Sequence, residues 1–152
     1  MLVFISALLL SLSTGSNPDT IRLAYHELDS EKSIDTFIEL VDDSGVDSLI
    51  PYKASALMQK ADYVTMPWKK LSYFNSGKKM LEDFISRFPD NVEARYVRFL
   101  VQSQAPGFLG YKNNIQADAE FVKTHLDNCD LQPQYKQVLI KNINTYIKNP
   151  KP

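Results

Sequence analysis

Apolar residues return at steps of three and four along most of this chain, the spacing of one face of an α-helix. The clearest run is Leu71, Phe74, Gly77, Leu81, Phe84 and Phe88, with Lys69, Lys70, Lys78, Lys79, Glu82 and Asp83 largely off the stripe. Gly77 stands inside it, where glycine costs about 1 kcal/mol against alanine. A costly residue on an apolar stripe points to close approach of a second helix. Pro89 ends the run by biasing Phe88 out of the αR region. Asp90 is placed to cap the helix that follows, with Glu93 to reciprocate. That helix, Asn91 to about Ser103, carries Val92, Tyr96, Val97, Phe99, Leu100 and Val101. It is apolar on most of its circumference and is predicted to be central and buried. Its polar interruptions, Arg95, Arg98 and Gln102, form one stripe.

The same period organises the rest of the chain. Asn17-Pro18 opens a helix with Ile21, Ala24, Tyr25 and Leu28 on its apolar face. Asp29-Ser30 breaks it and caps a second, with Ile34, Phe37, Ile38 and Val41, which Ser44-Gly45 closes. Asp47 is expected to cap a third, in which Ile50, Ala54, Leu57, Met58, Ala61 and Val64 share a face. Thr65-Met66-Pro67 turns the chain into the central run. Residues 104–111, QAPGFLGY, hold Pro106 and two glycines, which rule out a helix. Phe108, Leu109 and Tyr111 are too apolar for a bare solvent loop and are expected to tuck under a neighbouring helix or to line a pocket. Ile115, Ala119, Val122 and Leu126 mark a sixth helix. Gln132-Pro133 opens a seventh, with Tyr135, Leu139, Ile143, Tyr146 and Ile147 on one face and Asn149-Pro150 at its end.

The central run has a further property. A small residue, Gly77, is followed by Leu81 and Phe84 and then by Pro89-Asp90-Asn91. This spacing resembles the tetratricopeptide repeat, and Ser33, Phe37 and Leu40 repeat its first half. Arg95 and Arg98 depart from it, standing where a following repeat would place a large aromatic and a leucine. The resemblance covers about a third of the chain and is similar also to the central segment of small, uncharacterised exported bacterial proteins. It implies an all-α fold: a right-handed array of about three helix hairpins, with residues 70–100 read as one of them. It also implies a concave surface that takes a protein or peptide partner.

Residues 2–12, LVFISALLLSL, are apolar apart from two serines. Eleven residues are too few for a membrane-crossing helix, which needs ~20. They suit the apolar core of a secretory signal, with small residues Ser13 to Ser16 after it. The expectation is a signal peptide over residues 1–15, a single helical-repeat domain over 16–152, and a periplasmic or cell-envelope location with no membrane span after cleavage. The 152 residues carry a formal net charge of −1, so a nucleic-acid partner, which favours a strongly basic surface, is not expected. Cys129 is the only cysteine and reads as a small, partly buried apolar residue.

Little in the sequence points to catalysis. His26 and His125 have no second ligand at zinc spacing. Phosphate loops and nucleophile elbows are absent, and no acid–base pair converges. The expectation is a non-enzymatic module without cofactor or metal. One constellation stands out: Arg95, Arg98 and Gln102, with Tyr52 and Lys60 from a neighbouring helix. The arginines are read first as struts paired with carboxylates such as Glu82, Glu93 or Asp118, because an unpaired buried charge is costly. The alternative is a small anionic-ligand pocket between Arg95/Arg98 and the 104–111 loop, using the planar guanidinium forks.

Overall fold

The computed structural model describes residues 17–150. The expected signal segment lies outside the described residues. Within them the chain forms seven α-helices and no strand: α1 (Pro18–Tyr25), α2 (Glu31–Ser44), α3 (Ile50–Gln59), α4 (Pro67–Arg87), α5 (Val92–Gln104), α6 (Ile115–His125) and α7 (Pro133–Lys148). The fold is all-α, as the periodicity predicts.

Local chemistry sets most boundaries. Asn17 Oδ1 accepts a hydrogen bond from the Asp19 amide at 3.0 Å ahead of α1. Ser30 and Ser33 form a reciprocal capping box on α2, each hydroxyl accepting from the other residue's backbone amide. Gly45 closes α2 at φ +63°, a left-handed conformation that glycine adopts without steric cost. Two expected caps differ. Asp47 makes no capping bond and instead begins a short 3₁₀ turn, Asp47–Leu49, leading into α3. At α5 the cap is Asn91, whose side chain accepts from the Ala94 amide at 2.8 Å. Asp90 lies one residue too early, and Glu93 is drawn away by a tertiary partner described below.

α5 is the axis of the molecule. Tyr96, Val97 and Phe99 are fully buried, and α5 packs against α3, α4, α6 and α7. The most extensive pairings join α3 to α4 and α5 to α6. The turn between α4 and α5 therefore passes from one pairing to the next, rather than closing a hairpin over residues 70–100. Gly77 belongs to the first pairing. A Cβ there would press on the Ala54 carbonyl oxygen and lie 2.6 Å from Met58 Cγ. Phe74, Leu81 and Phe84 are buried on the same face, while Leu71 and Phe88 at its ends are exposed. Tyr25, Phe37, Tyr52 and Tyr135 add an aromatic layer where α1, α2, α3 and α7 meet, with ring centroids 5.2 to 6.4 Å apart.

Candidate functional site

The polar stripe of α5 faces α6 and the end of α4. Arg98 grips Asp118 of α6 with both arms of its fork, Nε to Oδ2 at 2.6 Å and a terminal nitrogen to Oδ1 at 2.8 Å. Its other terminal nitrogen reaches Glu82 of α4 at 3.0 Å. Arg95 donates to the same Asp118 at 2.9 Å and to the Pro89 carbonyl at 3.0 Å. Tyr111 Oη donates to the second oxygen of Glu82. Gln102 receives the Asn114 amide at 2.7 Å and donates to the Asn114 side chain, tying α5 to the entrance of α6. Asp118 is fully buried. Burial works against the charge on Arg98, but the bonds to Asp118 and Glu82 outweigh it and its pKa is raised. Two guanidinium groups thus meet two carboxylates within the fold, Arg98 through all three of its nitrogens and Arg95 through two.

The other two residues of the constellation lie elsewhere. Lys60 bonds Asp35 of α2 at 2.6 Å and sits over the Tyr73 ring. Tyr52 belongs to a second buried network on the opposite side of α5. There Arg22 of α1 grips Glu93 through Nε at 2.5 Å and a terminal nitrogen at 3.1 Å, with Asp19 and Ser48 as further partners. Tyr52 Oη donates to Glu93 Oε1 at 2.9 Å. Tyr135 Oη donates to Tyr52 Oη at 3.0 Å. His26 Nε2 lies 3.1 Å from Tyr135 Oη.

This order has a chemical consequence. Each tyrosine has one proton, and both are committed towards Glu93, so Tyr135 can only accept from His26. His26 therefore carries its proton on Nε2, which leaves Nδ1 as a lone-pair acceptor. Burial lowers the His26 pKa to about 4, keeping the ring neutral. Burial, and then the Glu93 charge, raise Tyr52 well above the ordinary phenol range.

His26 also lines a cavity of about 790 Å³. The cavity lies between the end of α1, the α3 terminus with the 3₁₀ turn Lys60–Tyr63 after it, the first turns of α4, the last turn of α5, residues 104–109, and α7. Its apolar wall includes Leu28, Met58, Phe74, Leu100 and Val101, with Asn142 and Tyr146 from α7. The cavity is open to solvent, and its exposed lining includes the charged Asp62 and Lys70 as well as apolar side chains. Tyr63, Leu71 and Phe108 line it and are exposed, Phe108 by 86 %, and Met66 and Trp68 flank the lining residue Pro67, Trp68 exposed by 66 %. The 104–111 segment thus splits its duties. Tyr111 tucks inward beside Phe74, and Phe108 stands on the rim rather than under a helix.

The cavity beside residues 104–109 is not the pocket expected between Arg95/Arg98 and that segment, because neither arginine lines it. The reading of the sequence missed His26, Asn142 and Tyr146. His26 caps the end of α1 and the other two sit on α7, more than 100 residues away in the chain, and no local spacing signals that they meet. It also missed the Arg22–Glu93 pair, separated by 71 residues. Among the described residues no group of three or more His, Cys, Asp or Glu side chains is placed to hold a metal ion. No helix of the described residues is long and apolar enough to cross a membrane. Compared with protein-family models, curated proteins and solved structures, the chain matches none.

Proposed function

We propose that the protein is a non-enzymatic binding module that works after export, in the cell envelope, and takes a small amphipathic ligand into the cavity beside residues 104–109. The carrying observation is the cavity itself: about 790 Å³, lined by apolar side chains interspersed with polar ones, with Tyr63, Leu71 and Phe108 exposed in its lining. Small-molecule sites have this size and character. Catalysis is the weaker reading of the same geometry, since a general base works best with a pKa near the operating pH and His26 is held near 4. The scaffold reads as a short tetratricopeptide-like array in which α3–α4 and α5–α6 are successive units, with Gly77 at the close contact inside the first. Fold analogy lends the binding role no more than plausibility.

The protein- or peptide-binding expectation stays as a second reading. It rests on the exposed apolar side chains in the cavity lining, Tyr63, Leu71 and Phe108, since exposed apolar surface of this kind receives partners. The test of the main reading is binding of a neutral naphthylamine dye, whose fluorescence rises in apolar surroundings. The folded protein should bind it saturably at one site, and Val101→Trp, which fills the cavity, should abolish this while the helical spectrum persists. Unchanged dye binding in that variant would place the ligand elsewhere.

A further inference from the structure

The lining of the cavity carries one cation, Lys70, and one anion, Asp62, and so no net charge. Most of its uncharged polar side chains come from the end of α1, from α3 and from α7: Tyr25, His26, Ser55, Gln59, Asn142 and Tyr146. The Tyr25 and Ser55 hydroxyls bond each other at 2.7 Å. Three of the others keep an atom free. His26 turns Nε2 to Tyr135, which does not line the cavity, and the order of the tyrosine protons leaves its Nδ1 unprotonated. Asn142 donates Nδ2–H to the buried Tyr96 hydroxyl at 2.7 Å, which leaves Oδ1 as an acceptor. The Tyr96 ring also lies 6.2 Å from the His26 ring, so His26 and Asn142 flank one side chain. Tyr146 is one helical turn beyond Asn142 on the same face of α7. Among the described residues His26 Nδ1, Asn142 Oδ1 and Tyr146 Oη have no partner within the fold, and none of the three is sealed from solvent. The cavity lining therefore holds two neutral acceptors and one hydroxyl that is free to donate.

We propose, resting on the binding role argued above, that the ligand is an uncharged apolar molecule bearing a hydroxyl group, an alcohol or a phenol. Its O–H donates to the acceptor pair of His26 Nδ1 and Asn142 Oδ1, its oxygen accepts from Tyr146 Oη, and its apolar body lies against Phe74, Leu100 and Val101. Only a hydroxyl answers both kinds of group. An ether has no proton for the acceptors. A carboxylate sets its lone pairs against theirs. An ammonium cannot accept from Tyr146, and no net negative charge in the lining offsets its desolvation. An acceptor that loses water and gains no donor is costly, so a site of this kind discriminates by what the ligand lacks.

The experiment titrates the full chain by calorimetry with four probes that share one ring system: naphthol, its methyl ether, naphthoate and naphthylmethylammonium. Naphthol should bind at one per chain and about tenfold more tightly than the ether, and neither charged probe should bind more tightly than the ether. His26→Phe should bring naphthol down to the affinity of the ether while the naphthylamine dye, held by apolar contact, still binds. In the parent, the nitrogen resonance of His26 Nδ1 should move when naphthol is added and stay in place when the ether is added. Equal binding of naphthol and its ether, a charged probe that matches naphthol, a preference that survives His26→Phe, or an Nδ1 resonance that naphthol leaves unmoved overturns the proposal. Should His26→Phe fail to fold, the resonance in the parent decides. Dye binding without naphthol binding overturns the proposal and leaves the binding role standing, whereas loss of both removes the binding role as well.

Discussion

Replacing Gly77 by alanine tests whether the α3–α4 contact dictates the residue. In an open helix this change stabilises by about 1 kcal/mol, because alanine is the better helix former. Here the added methyl meets the Ala54 carbonyl oxygen, Met58 Cγ at 2.6 Å and the Met58 amide nitrogen at 3.1 Å. Met58 Cγ belongs to a flexible side chain and can give way. The carbonyl and the amide are backbone of a packed helix, so relief requires α3 and α4 to separate. Overpacking costs ~1–3 kcal/mol, and a backbone clash belongs in the upper part of that range. Subtracting the propensity gain leaves a net loss of about 1–2 kcal/mol. At roughly 2–4 °C per kcal/mol for a chain of this size, the melting temperature falls by about 2–8 °C. The assay is thermal unfolding followed by circular dichroism at 222 nm (about the helical minimum of such spectra), checked by urea unfolding. Ser76→Ala, exposed on the same helix, is the control and should be unchanged or slightly raised. If Gly77→Ala melts at or above the parent while Ser76→Ala behaves as expected, the close crossing is not what selects glycine.

Three further outcomes follow from the buried networks. Arg98→Ala leaves the fully buried Asp118 with only Arg95 for neutralisation and should cost ~3–5 kcal/mol in urea unfolding; a loss under 1 kcal/mol would mean that the pair is not a strut. Tyr52→Phe removes the donor to Glu93 and the acceptor for Tyr135 and should cost ~1–3 kcal/mol, which a double-mutant cycle with Tyr135→Phe should show to be shared between the two. His26 has a folded pKa of about 4, below its ordinary value of 6.5. The folded state thus favours the neutral ring, so the contribution is complete above pH 6.5 and is lost as pH falls from there towards 4. His26→Gln should flatten the stability profile across that window relative to the parent, and an unchanged slope would assign the acid sensitivity to other groups.

Much of the architecture was legible in the residues alone, because helix formation is governed by neighbours three and four positions apart. The seven segments, the stops at Gly45 and Pro89, the buried character of α5 and the close packing at Gly77 all follow from such short-range patterns. The caps show where that reasoning ends. Asp90 and Asn91 are equally good capping residues by type, and the geometry of the turn decides for Asn91. Glu93 has the right spacing for a capping box, yet Arg22 and Tyr52 claim it, since a bidentate buried guanidinium is a stronger partner than a backbone amide. The arginine stripe was visible as an anomaly on an apolar helix, and Asp118 and Glu82 were among its conceivable partners, but only the packing of α6 on α5 selects them. The cavity was the least accessible of all. Its wall takes residues from α1, α3, α4, α5 and α7, and a void is defined by how helices fail to fill the space between them. That depends on the relative placement of helices distant in sequence, which no periodicity within a single segment encodes.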